Sequence, residues 1–251
     1  SQFLFNTHTM LARIPTSSVK SNQKLCTSST IIRAQSKTSL SQNSTNQSTQ
    51  QRTLINVPKL AYDLDKGVAP LMSPRVLKMH YEEHYMGHVK RLNQLIKGTE
   101  FDTHHLTSIV RKSYEDATHA AIHNQAGAAF AHRLFFRNIV PEGRLPSAEV
   151  LEAISTNFGD FKTLAANFYL HAKSLHGNGY VWLVSDKGGA LDIMTTSNSV
   201  APFNIRQDVY PVLVLDMWEH SYYLDYQNRI DQYVENFFKV VNWNSVGKGL
   251  V

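Results

Sequence analysis

Val209-Tyr210-Pro211-Val212-Leu213-Val214-Leu215-Asp216-Met217-Trp218-Glu219-His220 is the stretch from which the rest of the chain can be read. Its first seven residues form a β-branched apolar run, the pattern of a buried strand. Asp216 then sits at the end of the strand and His220 about one turn into the next element. A carboxylate oxygen and a ring nitrogen placed in this way can point at one ion. Two ligands do not make a site, and the candidates for the others are His80, His84, His88 and His132.

Working outward, Tyr180-Val181-Trp182-Leu183-Val184 reads as a strand, Lys187-Gly188-Gly189 as a turn, and Ala190 to Thr195 as the returning strand. Gly177-Asn178-Gly179 precedes them. No helix comes after these glycines, so they do not make a phosphate loop. Ser147 to Phe158 and Asp160 to Ala172 read as amphipathic helices separated by Gly159, and Asp231 to Val241 as a closing helix. The second half is therefore expected to be helices around a small three-stranded antiparallel sheet.

The first half is helical. Ser73-Pro74 opens a helix with a capping hydroxyl and a proline at the first position, and Lys97-Gly98 closes it. His80, His84 and His88 lie within it at four-residue spacing. They share one face, drifting about 40° per step in a regular α-helix. A lone histidine is ordinarily a solvated or satisfied core residue, but three in register point to a polar site. The order His80-Tyr81-Glu82-Glu83-His84 is not the zinc-protease motif, because the residue after His80 is tyrosine. A second helix is expected from about Leu106 to Asn138, broken near Gly127 and ended by Pro141-Glu142-Gly143. His132, between Ala131 and an aromatic cluster, needs a hydrogen bond or a metal there. The fold class is α+β. An arm (1–54) precedes a helical hairpin domain (55–140) and a C-terminal domain (141–251).

The single cysteine, Cys26, excludes a disulfide framework and a thiolate site. Any metal is left to imidazole and carboxylate, which suits iron, manganese or zinc. No apolar run approaches the roughly eighteen residues of a membrane span. The net charge of +5 is uneven. Residues 1–62 hold seven basic residues (Arg13, Lys20, Lys24, Arg33, Lys37, Arg52 and Lys59) and no acid, so the remainder is slightly acidic. The body thus has no electrostatic support for nucleic-acid binding, whereas the arm suits RNA or an acidic surface. The arm's Ser-rich, acid-free composition is that of a mitochondrial transit peptide, with Met10-Leu11-Ala12-Arg13 a reasonable start, and the mitochondrial matrix is the expected location.

Together these residues resemble the iron/manganese superoxide dismutase family over about residues 55–251. Asp216 to Asn228 is similar to the family's signature stretch, Gly177 to Val184 to its Gly-Ser-Gly-Trp segment, and Asn242-Trp243 to its closing pair. The resemblance implies one iron or manganese ion per chain, held by His80, His132, Asp216 and His220. It also implies a dimer, with a homologous or identical partner, in which Glu219 meets the partner's metal-binding histidine and Tyr223 meets His84. Trp182 and Trp218 belong with the residues around the ligands and this interface.

The sequence departs from the family around these ligands. His88 stands at the gateway tyrosine, and Ala128 and Ser199 stand at the two positions that supply a glutamine. Tyr180 replaces the first tryptophan of the strand segment, Phe136 another pocket tryptophan, and Ala131 an asparagine. Arg229-Ile230 stands where the family's arginine would come in reversed order. The candidate catalytic residues are then His88, which can relay protons, and Tyr180. The resemblance implies a mitochondrial dismutase of altered activity. An alternative is a structural subunit of a large mitochondrial assembly, such as the small ribosomal subunit, docked on RNA or protein through residues 1–54.

Overall fold

A computed structural model describes residues 54–250. The arm and its transit-peptide reading lie outside the described residues, apart from Leu54. Ser73 accepts a hydrogen bond from the Val76 amide and starts α1 (Pro74–Lys78), with Pro74 where a missing N–H costs nothing. The helix then widens. Met79–Tyr85 form a π-helical turn before α2 (Met86–Leu95), and the Met86 amide reaches back five residues to the Tyr81 carbonyl. The uniform helix expected from Ser73 to Gly98 is corrected on two counts. It is π-helical at His80 and His84, and it stops at Leu95, because the chain turns at Ile96 into a 3-10 turn over Glu100–Thr103 capped by Thr99. π-turns inside helices collect at functional sites, where they re-aim side chains.

α3 (Leu106–Tyr114) and α4 (Ala120–Asn138) replace the expected long second helix. The break is at Glu115–Asp116 and not near Gly127. Asp116 accepts from the Thr118 amide and opens a 3-10 turn over Ala117–His119. Gly127 lies within α4 for a packing reason. A Cβ there would sit 1.8 Å from the Ser199 carbonyl oxygen, so the loop after the second strand lies directly on the helix.

In the second half, Ser147 caps α5 (Ala148–Phe158), Gly159 ends it at positive φ, and Asp160 caps α6 (Phe161–Ser174). Next come β1 (Gly179–Asp186), β2 (Leu191–Ser197), α7 (Pro202–Ile205), β3 (Val209–Asp216), α8 (Glu219–Tyr226), α9 (Ile230–Val240) and α10 (Trp243–Gly247). The sheet has the order β2-β1-β3 and is antiparallel throughout. β1 is central and buried for nearly its whole length. β3 is an edge, which accommodates Pro211. Its register slips there, from Leu183 opposite Leu213 to Val184 opposite Pro211, so Val212 is bulged. The Asn138 side chain at the end of α4 donates to the Val212 carbonyl at 3.1 Å. α4 packs on α2, α3 and β3 and so joins the hairpin to the sheet. Tyr226 ties α8 to the segment before α1 by donating to the Pro70 and Leu71 carbonyls.

Candidate metal centre

Asp216 ends β3 opposite Tyr180 in β1, and the next amide, Met217, bonds the Gly179 carbonyl. The Trp218 amide donates to Asp216 Oδ1 at 2.9 Å and the Tyr233 hydroxyl to the Asp216 carbonyl at 2.9 Å. Backbone and side chain of Asp216 are thereby fixed, with Oδ2 left facing three histidines. His80 Nε2 is 3.1 Å from Oδ2, His220 Nε2 3.6 Å and His132 Nε2 3.8 Å. All four ligand atoms lie within 4.8 Å of one another. His132 Nδ1 donates to the Ala128 carbonyl at 2.7 Å, one turn earlier in α4, which puts the free lone pair on Nε2. Among the described residues, the buried Nε2 atoms of His132 and His220 have no hydrogen-bond partner. Orphaned buried nitrogens are costly, and these converge on one point. An ion there would satisfy them, and three imidazoles with one carboxylate fit iron or manganese.

The electrostatics agree. Burial pushes the His80 imidazole down to about 4 and holds His132 well below its ordinary value, so both rings are neutral donors. Burial alone would raise the Asp216 carboxyl. The His220 and His80 rings that face Oδ2 outweigh it, and the group stays an anion, well below the usual carboxylate range.

His84 stacks on His220, with ring centroids 3.9 Å apart, and His88 lies 5.4 Å from the His132 ring. Burial lowers both, His84 to about 4. Tyr180 is fully buried, and burial followed by the Asp216 charge holds its hydroxyl protonated. The Trp218 indole sits near that hydroxyl, but neither group makes a well-formed hydrogen bond. Trp182 packs on Tyr180 at 5.4 Å and donates to Thr196 at 2.8 Å. Glu219 and Tyr223 face outward on α8. Phe136 packs on His80 at 4.9 Å, and Ala128 and Ser199 are buried without an amide side chain.

Sequence reasoning missed Gln125, Arg91 and Tyr233. Gln125 meets His88 Nδ1 at 2.8 Å and accepts from Arg91 Nε at 3.2 Å. A signal for Gln125 existed, because it lies seven residues before His132, two turns away on the same face of α4. Tyr233 left no such trace, since nothing local connects α9 to the end of β3.

Two family profiles match the chain. The iron/manganese superoxide dismutase alpha-hairpin domain matches residues 55–140, and the C-terminal domain of the same enzymes matches residues 146–249. The protein named superoxide dismutase [Fe] of Legionella pneumophila is 36% identical over 195 residues, covering 77% of this chain and 97% of that protein. The protein of that name from Escherichia coli strain K12 is 37% identical over 195 residues, with the same coverage. The one from Bordetella pertussis is 36% identical over 193 residues, covering 76% of this chain and 96% of its own length. With both domains matched and the four donors converging as they do, the chain belongs to the iron/manganese superoxide dismutase family.

Proposed function

We propose that the chain is a mitochondrial superoxide dismutase that holds one iron or manganese ion on His80, His132, Asp216 and His220, and that its turnover is altered by the residues around them. The observation that carries this reading is the convergence of three imidazoles on one buried carboxylate oxygen. A bound redox metal supplies alternating electron uptake and release, so that two superoxide ions and two protons become dioxygen and hydrogen peroxide. The chain's own residues do the rest. Trp218 and Ala128 orient Asp216 and His132 for binding. Phe135, Phe136 and Tyr85 wall the cluster against water. His88, half-buried beside His132, stands where a proton can pass from solvent toward the site. Tyr180 keeps its proton beside Asp216.

Altered turnover is expected from Ala128 and Ser199, which supply no side-chain amide to bond a ligand on the ion. The relatives named for iron make iron the first ion to test. The outward Glu219 and Tyr223, with the partly exposed His84 alongside His220, support a dimer with a second copy or a related chain. A second reading is a weakly catalytic subunit of a large mitochondrial assembly docked through residues 1–54. The lack of either glutamine and the basic arm favour it.

Elemental analysis and a superoxide-consumption assay on one purified sample test the proposal. Stoichiometric iron or manganese with metal-dependent turnover is expected. Bound metal with negligible turnover would favour the structural subunit, and absence of both metals from protein grown in either would sink the site assignment.

A further inference from the structure

The described contacts of His88 run to a pair of side chains on two helices. Its Nδ1 is 2.8 Å from Gln125 Oε1, and Arg91 Nε donates to that same oxygen at 3.2 Å. A guanidinium has no acceptor. The amide must therefore present its oxygen to Arg91, and the same oxygen faces His88. An oxygen can only accept, so the proton lies on His88 Nδ1. In the neutral ring this leaves Nε2 with a lone pair. Among the described residues Nε2 has no hydrogen-bond partner, and the ring lies beside His132 within the field of Asp216 and His220.

We propose that Gln125, held by Arg91, is a positioning residue that locks His88 in the Nδ1–H tautomer and makes its Nε2 a hydrogen-bond acceptor beside the four-donor cluster. A hydroxyl at this place can donate to an anion. While neutral, the locked imidazole cannot, and it accepts instead from a protonated species. Small anions therefore lose a donor at this point, while a protonated product gains an acceptor. The proposal deepens the dismutase reading and rests on it for what Nε2 faces, but the tautomer itself depends only on Gln125 and Arg91.

The two parts are tested separately. Neutron diffraction from deuterated crystals of the metal-loaded chain at neutral pH reads the tautomer directly. Deuterium is expected on His88 Nδ1 and absent from Nε2. In Gln125→Leu it should move to Nε2, and in Arg91→Met the amide is free to turn and the Nδ1 site should empty in part. Gln125→Glu, which keeps an oxygen acceptor, should retain deuterium on Nδ1. Deuterium on Nε2 of the unaltered chain, or no change in Gln125→Leu, would overturn the lock. The second readout is azide affinity of the metal-loaded protein by absorbance titration. Gln125→Leu restores a donor on Nε2 and should tighten azide by roughly tenfold, the scale of a hydrogen bond to a charged group. Unchanged affinity would overturn the role assigned to Nε2. Metal content, measured on the same samples, reports independently on the dismutase reading.

Discussion

At the scale of single residues the centre is a set of imidazoles gathered around one buried anion. His80→Ala removes a donor and leaves Asp216 buried with one partner fewer. The variant should lose its metal and about 2–4 kcal/mol of stability. Elemental analysis with urea unfolding checks both, and retained stoichiometric metal would contradict the ligand assignment. The same burial sets a pH dependence. The His80 imidazole falls from an ordinary 6.5 to about 4 in the folded chain. Between these values the unfolded chain binds a proton that the folded chain refuses. Stability is full above pH 6.5 and falls as pH drops toward 4, by about 3 kcal/mol from this group at about 1.4 kcal/mol per unit. Chelator-treated protein should therefore unfold at lower urea at pH 4.5 than at pH 7, and equal midpoints would argue against a neutral ring. Tyr180→Phe separates stability from chemistry. Deleting a buried hydroxyl that has no partner should leave stability unchanged or raise it by about 1 kcal/mol. A fall in turnover would then belong to the hydroxyl alone. Local patterns in the sequence pointed to Asp216, His220 and four candidate histidines, and the family resemblance narrowed these to the four donors. Gln125 and Tyr233 were not singled out, because their roles exist only once α4 and α9 have packed.

At the scale of elements, local rules hold only in part where the site is built. Four-residue histidine spacing implies one shared stripe on an α-helix. The stripe survives although Met79–Tyr85 are π-helical: His80 meets Asp216, His84 stacks on His220 and His88 lies beside His132, all at one cluster. A sequence pattern at period 3.6 cannot announce an i→i+5 turn. Gly127 misled for a related reason. Glycine usually marks a helix break, but here it marks contact between α4 and the Ser199 backbone. The capping signal at Ser73, by contrast, reads true, and Ser147 and Asp160 cap their helices in the same way, because a cap is satisfied by atoms within four residues. The two glycines within these helices make opposite predictions. Gly127→Ala drives a methyl into a carbonyl oxygen that cannot retreat without moving the loop, at a cost of about 3 kcal/mol. Gly87→Ala on α2 meets only the flexible Arg91 guanidinium at 3.5 Å and should gain about 0.5–1 kcal/mol of helix propensity. Thermal unfolding of the two variants tests the assignment, and similar shifts in both would contradict it.

At the scale of the molecule, the question is where the folding unit begins. Composition places a polar arm up to residue 54, and the contacts just beyond it are specific. The Asn93 side chain bonds the Ile55 backbone on both sides, accepting from its amide at 3.0 Å and donating to its carbonyl at 2.9 Å. Arg133 donates to the Asn56 carbonyl, and the Tyr81 hydroxyl donates to the Pro58 carbonyl at 2.8 Å. Ile55 is buried in the core. These bonds also reach the site, because Tyr81 packs edge-on against Phe136 at 5.2 Å and Phe136 packs on His80. Residues 55–58 therefore act as a strap that fixes the helix carrying the first histidine. Deleting residues 1–50 should leave the melting temperature within a few degrees of the full chain. Deleting residues 1–60 removes three sets of hydrogen bonds and a buried isoleucine, worth about 3–4 kcal/mol together. For a body of this size that lowers melting by about 10 °C. It should also weaken metal retention during dialysis against chelator, because Tyr81 loses its anchor one residue from His80. Equal melting of the two truncations would show that the strap is incidental, and a loss already complete at residue 50 would make the arm part of the fold.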